Sequence, residues 1–251
     1  MIEKDIQTES RAVLVGLMQK GESAEALDRS LDELEGLLKT AGGECIARLT
    51  QSKEAPDART MIGSGKAAEL AYLCACNDID LVVFDCELSP SQIRNLENIM
   101  GDGVRVIDRS MLILDIFALH AVTGEGKLQV ELAQLKYLMP RLTGKGIALS
   151  RLGGGIGTRG PGETKLETDK RHIRRRMETV KEQLRDVENH RNELRRRREK
   201  NSVITVAIVG YTNAGKSTLL NALCESDVFA ENMLFATLDP SVRGMTDGNG
   251  R

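Results

Sequence analysis

Eight consecutive residues have the types and spacing of a phosphate-binding loop. The pattern G-x-x-x-x-G-K-[ST] is satisfied by Gly210, Tyr211, Thr212, Asn213, Ala214, Gly215, Lys216 and Ser217. The apolar residues 203–209 before the loop predict a strand, and Leu219 and Leu223 after it predict an amphipathic helix. In such a loop, backbone N–H groups and the helix N-terminus bind phosphate oxygens. We expect Lys216 to reach the β- and γ-phosphates of a nucleotide, and the Ser217 hydroxyl to ligate Mg²⁺.

A second candidate Mg²⁺ ligand is Thr237, which follows Lys216 by 21 residues within the sequence Phe-Ala-Thr-Leu-Asp-Pro. Nucleotide switches close such a threonine over the γ-phosphate. An Asp-x-x-Gly motif after an apolar strand and an Asn-Lys-x-Asp motif are both missing, and residues 247–250 are typical of a hairpin turn. The sequence therefore predicts a chain that ends inside a nucleotide-binding domain, as a fragment of a longer protein.

Residues 143–164 contain eight glycines and no apolar periodicity. Segments of this length inside compact proteins are usually functional or disordered. Glycines allow a backbone to approach another surface closely, and basic side chains beside them attract phosphates. A flexible linker is the alternative interpretation. The residues predicted to contact RNA here are Arg151, Gly153, Gly154, Gly155, Arg159 and Lys165.

Charge is segregated along the chain. Residues 141–200 carry 18 basic and 9 acidic side chains, whereas residues 1–100 carry 10 basic and 18 acidic ones. Most of the basic excess lies on a long predicted helix, residues 165–200, whose length is about 54 Å. We expect Arg171, Arg174 and Arg175 to bind an RNA backbone with little dependence on base sequence. A solvated helix face, neutralised by interspersed glutamates, is the alternative.

The remaining pattern predicts an α/β fold. Strands are predicted at 12–18, 45–50, 81–84 and 104–107, and helices after Ser23, over 66–76 and after Ser89. Apolar strands that alternate with helices predict a small parallel sheet with crossover helices. Two heptad-like seams then predict an antiparallel helical hairpin. Their residues are Leu128, Leu132, Leu135, Met139 and Leu142, and Leu166, Ile173, Met177, Val180, Leu184, Val187 and Leu194.

These patterns divide the chain into three parts. Residues 1–125 are predicted to form the N-terminal α/β domain, and residues 126–200 a long helical hairpin with the glycine-rich tip loop 143–164. Residues 201–251 are predicted to begin a P-loop NTPase domain. Residues 63–66, Gly-Ser-Gly-Lys, suggest a second nucleotide site, although a helix N-terminus explains them equally well.

Composition excludes several classes of protein. Aromatic residues make up 3% of the chain and tryptophan is absent, which argues against stacking of single-stranded bases. The five cysteines form no C-x-x-C pair, so neither a disulfide framework nor a zinc ribbon is expected, and a cytoplasmic location is predicted. No apolar run is long enough to span a membrane.

Together these motifs resemble the HflX-type ribosome-associated GTPases of the TrmE-Era-Obg-HflX superfamily. The resemblance rests on residues 150–165 with the following Leu-Glu-Thr-Asp, on residues 210–218, and on residues 235–240. It implies an N-terminal α/β domain, a helical hairpin and a GTPase domain. It extends the nucleotide-binding set to Thr218, and it implies catalytic roles for Lys216 and Thr237 with GTP/GDP and Mg²⁺ as ligands.

The resemblance also implies a partner. HflX-type proteins bind the large ribosomal subunit and its rRNA, with the glycine-rich loop near the peptidyl-transferase centre. GTP hydrolysis stimulated by the ribosome and the splitting of stalled ribosomes under stress are implied as the activity. Separately, we expect a monomer. ATP binding by the N-terminal region, at residues 63–66, is a weaker implication. A chain that acts only as an rRNA-binding module, without hydrolysis, is the alternative.

Overall fold

A computed structural model describes residues 10–142, 165–201, 204–210, 214–224 and 242–244. Four strands and seven helices lie in this part of the chain. The strands are β1 (Ser10–Met18), β2 (Gly43–Ser52), β3 (Leu81–Phe84) and β4 (Arg105–Asp108). The helices are α1 (Ala24–Thr40), α2 (Ser64–Cys76), α3 (Pro90–Met100), α4 (Arg109–His120), α5 (Gly124–Leu138), α6 (Lys165–Lys200) and α7 (Lys216–Cys224), and a 3-10 turn, Met139–Arg141, follows α5.

The four strands form one parallel sheet in the order β2-β1-β3-β4. Ala12 of β1 pairs with Leu81 of β3, and Leu81 pairs in turn with Arg105 of β4. The chain moves outward from β1 to β2 and then crosses back to β3 on the other side of β1. The predicted parallel sheet is therefore confirmed, and its strand order reverses between β1 and β3.

Helices cover both faces of the sheet. On one face, Val13, Val82 and Val106 pack in a cluster with Leu70 of α2 and Leu96 of α3. On the other face, the alternate strand residues, among them Leu14, Val83 and Ile107, pack with residues of α1 and α4. All four residues of β3 are buried and apolar, because helices cover this central strand on both faces, and β3 was therefore predictable to the residue.

The helix starts follow from their capping residues. The Ser23 hydroxyl accepts a hydrogen bond from the Ala26 amide at 3.1 Å, so α1 begins where the sequence predicts. At α3, the Gln92 amide donates to the Ser89 hydroxyl at 3.3 Å, and the Ser89 amide donates to the Gln92 side chain at 2.8 Å. Pro90 occupies the first turn. This reciprocal capping box confirms the predicted start of α3.

Helices α5 and α6 form the predicted antiparallel pair. Leu135 and Leu142 pack in one cluster with Ile173 and Met177. The prediction that the seam extends to Leu194 was wrong, because that side chain is 37% exposed and every residue from 188 to 200 is exposed. The reason is length: α5 has 15 residues and α6 has 36, about 22 Å against 54 Å. The end of α6 therefore extends beyond its partner.

Residues 204–210 do not form the predicted strand. Ile204, Val206 and Val209 are 90%, 80% and 89% exposed. A parallel strand is stabilised by neighbouring strands and by helices on its faces, and no described element pairs with this segment. The apolar sequence has the composition of a buried strand, but the neighbours that would bury it do not lie in the described ranges.

None of the five cysteines is paired in a disulfide bond. Burial raises the pKa of Cys74 and of Cys86 to about 11, which keeps both as neutral thiols at neutral pH. Among the described helices, none combines the length and apolarity needed to cross a bilayer.

Candidate nucleotide and RNA sites

The phosphate-loop sequence leads directly into α7, which begins at Lys216. Gly215 has a φ of 79°, a left-handed conformation that glycine adopts without strain. The first intrahelical bond runs from the Leu219 amide to the Gly215 carbonyl at 2.9 Å, so the amides of Ser217 and Thr218 have no acceptor within the helix. This arrangement directs a helix N-terminus toward the position that the motif assigns to phosphate.

The start of the loop lies close to the lysine of the motif. A Cβ atom on Gly210 would lie 3.7 Å from Lys216 Cδ and 3.7 Å from Ala214 Cβ. Gly210 therefore lies near the N-terminus of α7. Ser217 is half-buried and Thr218 is exposed. The predicted site residues Tyr211, Thr212, Asn213 and Thr237 lie outside the described residues.

Residues 63–66 form the N-terminus of α2. The Gly63 amide donates a hydrogen bond to the Gln51 side chain at 2.8 Å. The Lys66 ammonium forms an ion pair with Glu69, one turn further along the helix, at 2.9 Å. The Gly63 amide and the Lys66 ammonium, the two groups that a second phosphate site would need, therefore already have partners within the protein. This favours the interpretation of the motif as a helix start.

The basic helix α6 has two kinds of arginine. Arg176 donates two hydrogen bonds to the Glu131 carboxylate on α5, and Arg191 donates to Glu125 on the same helix. These pairs fix one side of α6 to α5, and the hydrogen bond that Arg176 donates to Glu131 raises the pKa of Arg176. Arg174 and Arg175 are exposed and form no ion pair with any described residue.

Positive charge also accumulates where α6 leaves its partner. Arg195, Arg196, Arg197 and Arg198 are exposed and pair with no described acidic side chain. Four adjacent cations on one helix end repel one another and attract a polyanion. Arg171 is half-buried. Arg151, Gly153, Gly154, Gly155, Arg159 and the Lys165 side chain lie outside the described part of the structure, although α6 itself begins at Lys165.

The structure brings together one cluster that the sequence did not predict. The Asp108 carboxylate, which is completely buried, lies 3.5 Å from the guanidinium of Arg141. Tyr137 lies under that guanidinium, with 3.4 Å between the guanidinium carbon and the ring centroid. The position of Asp108 at the carboxyl end of a strand was visible in the sequence, but the pairing with a residue 33 positions away was not.

No described group of three His, Cys, Asp or Glu side chains is arranged to hold a metal ion. The motif predicts a different kind of site for magnesium, the Ser217 hydroxyl together with phosphate oxygens. The hard hydroxyl oxygen at the start of α7 fits that ion.

Three family models match successive parts of the chain. Residues 28–118 match one described as GTP-binding GTPase N-terminal, and residues 120–198 match one described as GTP-binding GTPase Middle Region. Residues 205–250 match one described as 50S ribosome-binding GTPase. The matched ranges cover the sheet, the helical hairpin and the phosphate loop in turn.

Curated relatives agree over almost the whole sequence. The chain is 55% identical over 241 residues to a GTPase HflX from Alkalihalophilus pseudofirmus. The chain belongs to the HflX family. A second HflX, from Caldanaerobacter subterraneus subsp. tengcongensis, is 52% identical over 250 residues, and one from Escherichia coli K12 is 51% identical over 213 residues. The matches cover 96%, 100% and 85% of this chain, and 56%, 57% and 50% of the respective HflX proteins.

Solved structures share the fold of this HflX-family chain. One is described as SsGBP in complex with GDP, with a TM-score of 0.54 and 20% sequence identity, over 89% of this chain and 60% of that one. Another is a GTP-binding protein from Sulfolobus solfataricus in complex with GDP, with a TM-score of 0.50 and 23% identity, over 86% and 53% of the two chains. These likenesses support the α/β fold class predicted from the sequence.

Proposed function

We propose that this protein binds and hydrolyses GTP, and that it binds the large ribosomal subunit and splits stalled ribosomes. The observation that carries the nucleotide part is the start of α7 at Lys216, directly after a left-handed Gly215. This is the geometry that a phosphate-binding loop requires. The HflX relatives, each named as a GTPase, support guanine rather than adenine as the base.

The roles of the loop residues follow from their chemistry. The Lys216 ammonium would neutralise the β- and γ-phosphates, and the amides of Ser217 and Thr218 would donate to phosphate oxygens. The Ser217 hydroxyl and Thr237 would hold Mg²⁺, which supplies charge neutralisation along the triphosphate when bound. The nucleotide-contacting set is Gly210, Tyr211, Thr212, Asn213, Ala214, Gly215, Lys216, Ser217 and Thr218.

The ribosomal part rests on the charge distribution of the hairpin. The acids of α5 neutralise Arg176 and Arg191, so the exposed arginines elsewhere on α6 remain available to a phosphate backbone. We propose that Arg174 and Arg175 contact rRNA together with Arg171 and the glycine-rich segment, whose contact residues are Arg151, Gly153, Gly154, Gly155, Arg159 and Lys165. Because ribosomes are cytoplasmic, we propose a cytoplasmic location for this protein. We also propose that it acts as a monomer, because α5 and α6 of one chain complete the hairpin.

A second candidate function is an rRNA-binding module without hydrolysis. The exposed apolar side chains of residues 204–209 favour it, because none of the described elements packs against this segment. ATP binding at residues 63–66 remains a weaker proposal, since Lys66 is already paired with Glu69.

Titration with a fluorescent GTP analogue tests the nucleotide assignment. Lys216→Ala should abolish binding, because it removes the cation that faces the β- and γ-phosphates. Lys66→Ala is the matched control, since Lys66 also stands in a Gly-Lys dipeptide at a helix start, and it should bind like the wild type. Unchanged binding by the Lys216 variant would contradict the assignment, and loss in the Lys66 variant would move the site to the N-terminal region. Phosphate release with and without large subunits then separates the GTPase from the RNA-binding module.

A further inference from the structure

Arg141, the last residue of the 3-10 turn after α5, connects the hairpin to the N-terminal sheet. One guanidinium nitrogen, Nη1, donates to the Tyr137 carbonyl at 2.9 Å. The other, Nη2, donates to the Leu88 carbonyl at 3.0 Å and lies 3.5 Å from Asp108 Oδ2. The Arg141 side chain is 17% exposed, so this contact is largely shielded from water and from screening by salt.

Asp108 forms the other half of the connection. It is the last residue of β4, and its carboxylate accepts hydrogen bonds from the Met111 amide at 2.9 Å and from the Leu88 amide at 3.2 Å. Leu88 therefore donates to Asp108 and accepts from Arg141. The buried Asp108 carboxylate and the largely shielded Arg141 guanidinium bind the Leu88 backbone from both sides, and removal of either charge leaves the other uncompensated.

Tyr137 fixes the orientation of the arginine. Its ring lies 3.4 Å from the guanidinium carbon, so the planar group stacks on the ring while its edges donate to Leu88 and to the Tyr137 carbonyl. Burial is the main reason that the pKa of Tyr137 is raised, with the nearby Asp108 adding to it, so the hydroxyl stays neutral at physiological pH.

Arg109, the residue after Asp108, also pairs with a carboxylate, but its partners lie only in the N-terminal domain. Its Nη2 lies 2.7 Å from Asp85 Oδ1, after β3, and donates to the Ser30 carbonyl at 2.8 Å. All of these partners belong to the sheet and its helices. The same edge of the sheet thus carries one arginine pair within the N-terminal domain and one, Asp108 with Arg141, that reaches the hairpin.

We infer that Asp108 and Arg141 are positioning residues that set the orientation of the α5–α6 hairpin for contact with rRNA. Leu142, the next residue, packs in one cluster with Ile173 and Met177 of α6, so a displacement of Arg141 is passed on to the arginine-bearing helix. The inference rests on the proposed function, because it assumes that α6 carries the rRNA contacts. Neither residue is required to touch RNA.

The affinity for purified large ribosomal subunits tests the inference, because electrostatics and positioning predict changes of affinity in opposite directions. Asp108→Asn removes a negative charge from a protein that binds a polyanion, so electrostatics alone predicts tighter binding. Positioning predicts the opposite, a loss of about fivefold or more. Asp85→Asn is the matched control, with the same charge change in the pair that does not reach the hairpin, and it should bind at least as tightly as the wild type. Equal affinity of the two variants would overturn the inference.

Hydrogen exchange separates this inference from the proposed function. Asp108→Asn and Arg141→Gln should each speed amide exchange over residues 135–142, the double variant should add little to either, and Asp85→Asn should leave these amides unchanged. If Asp108→Asn does not fold, Arg141→Lys, which keeps the charge but loses the planar fork, gives the same comparison. A wild type that fails to bind subunits overturns the proposed function alone, whereas unchanged exchange at 135–142 in the variants overturns the positioning role.

Discussion

Glu131 on α5 accepts two hydrogen bonds from Arg176 on α6, one from Nε and one from Nη2 at 2.9 Å. The Glu131 side chain is 19% exposed and the Arg176 side chain 50%. This bidentate pair assigns Arg176 to the hairpin, while its neighbours Arg174 and Arg175 are exposed and form no ion pair with a described residue. Adjacent arginines on one helix therefore have different roles, a structural one and a proposed RNA-binding one.

The first prediction concerns this pair. A double-mutant cycle with Glu131→Gln and Arg176→Gln should give a coupling energy of about 0.5–1 kcal/mol in the free energy of unfolding, because the pair is bidentate but partly exposed. The local pair of Glu178 and Lys181, three residues apart on α6, should give a smaller coupling energy, because it is exposed to solvent. Denaturant unfolding followed by circular dichroism measures both. A coupling energy of zero for Glu131 and Arg176 would contradict the structural role.

The second prediction concerns the length of the seam. Ile173→Ala should lower the free energy of unfolding of the hairpin by about 2–5 kcal/mol, because the side chain is 3% exposed and its removal leaves a cavity. Leu194 lies in the same heptad register but beyond the N-terminal start of α5, so Leu194→Ala should change stability by less than about 0.5 kcal/mol. Comparable losses in the two variants would show that α6 is covered along its whole length.

The third prediction uses Asp115 on α4, which faces α5. Burial raises the pKa of this carboxyl, although Arg105, 3.9 Å away, and a hydrogen bond from Gln134 oppose the shift. A raised pKa in the folded state means that stability is lost as pH rises from the unfolded value of about 3.9 through the folded one. Asp115→Asn should therefore increase the free energy of unfolding at pH 7, with no gain at low pH.

Glu35 serves as a control, because its pKa is shifted in the opposite direction to that of Asp115. Hydrogen bonds from Arg48 and then from Lys39 lower the pKa of this carboxyl. Its stabilising contribution is present above the unfolded pKa and disappears as pH falls through the folded value. Glu35→Gln should therefore destabilise the protein at pH 7 and become neutral in acid. Unfolding curves of both variants, measured across pH, test this account. Changes of the same sign in the free energy of unfolding at pH 7 would contradict it.

Local signals in the sequence were sufficient for the elements of the sheet. Ser23 and Ser89 mark their helix starts through hydrogen bonds that span three residues, and the run Leu81–Phe84 is apolar because it is buried on both faces. Such features depend on near neighbours along the chain. They were predicted correctly for that reason.

Features that depend on distant partners were not predictable in the same way. The heptad register continues to Leu194, but whether that side chain is covered depends on where α5 begins. The pattern at 204–209 is that of a strand, but a strand also needs neighbours. The Asp108–Arg141 contact joins residues that no motif relates. The division into three domains and the roles of the phosphate-loop residues stay predictions.

The central claim is that the exposed arginines of α6 bind the RNA of the large ribosomal subunit. It is tested most directly by the affinity for purified subunits, measured over a range of salt concentrations for the wild type, the double variant Arg174→Gln/Arg175→Gln, and Arg176→Gln as the paired neighbour. For the double variant, the account predicts weaker binding and a shallower slope of log affinity against log salt concentration, equivalent to the loss of about two phosphate contacts. For Arg176→Gln it predicts little change in that slope. Equal slopes for the wild type and the double variant would contradict it.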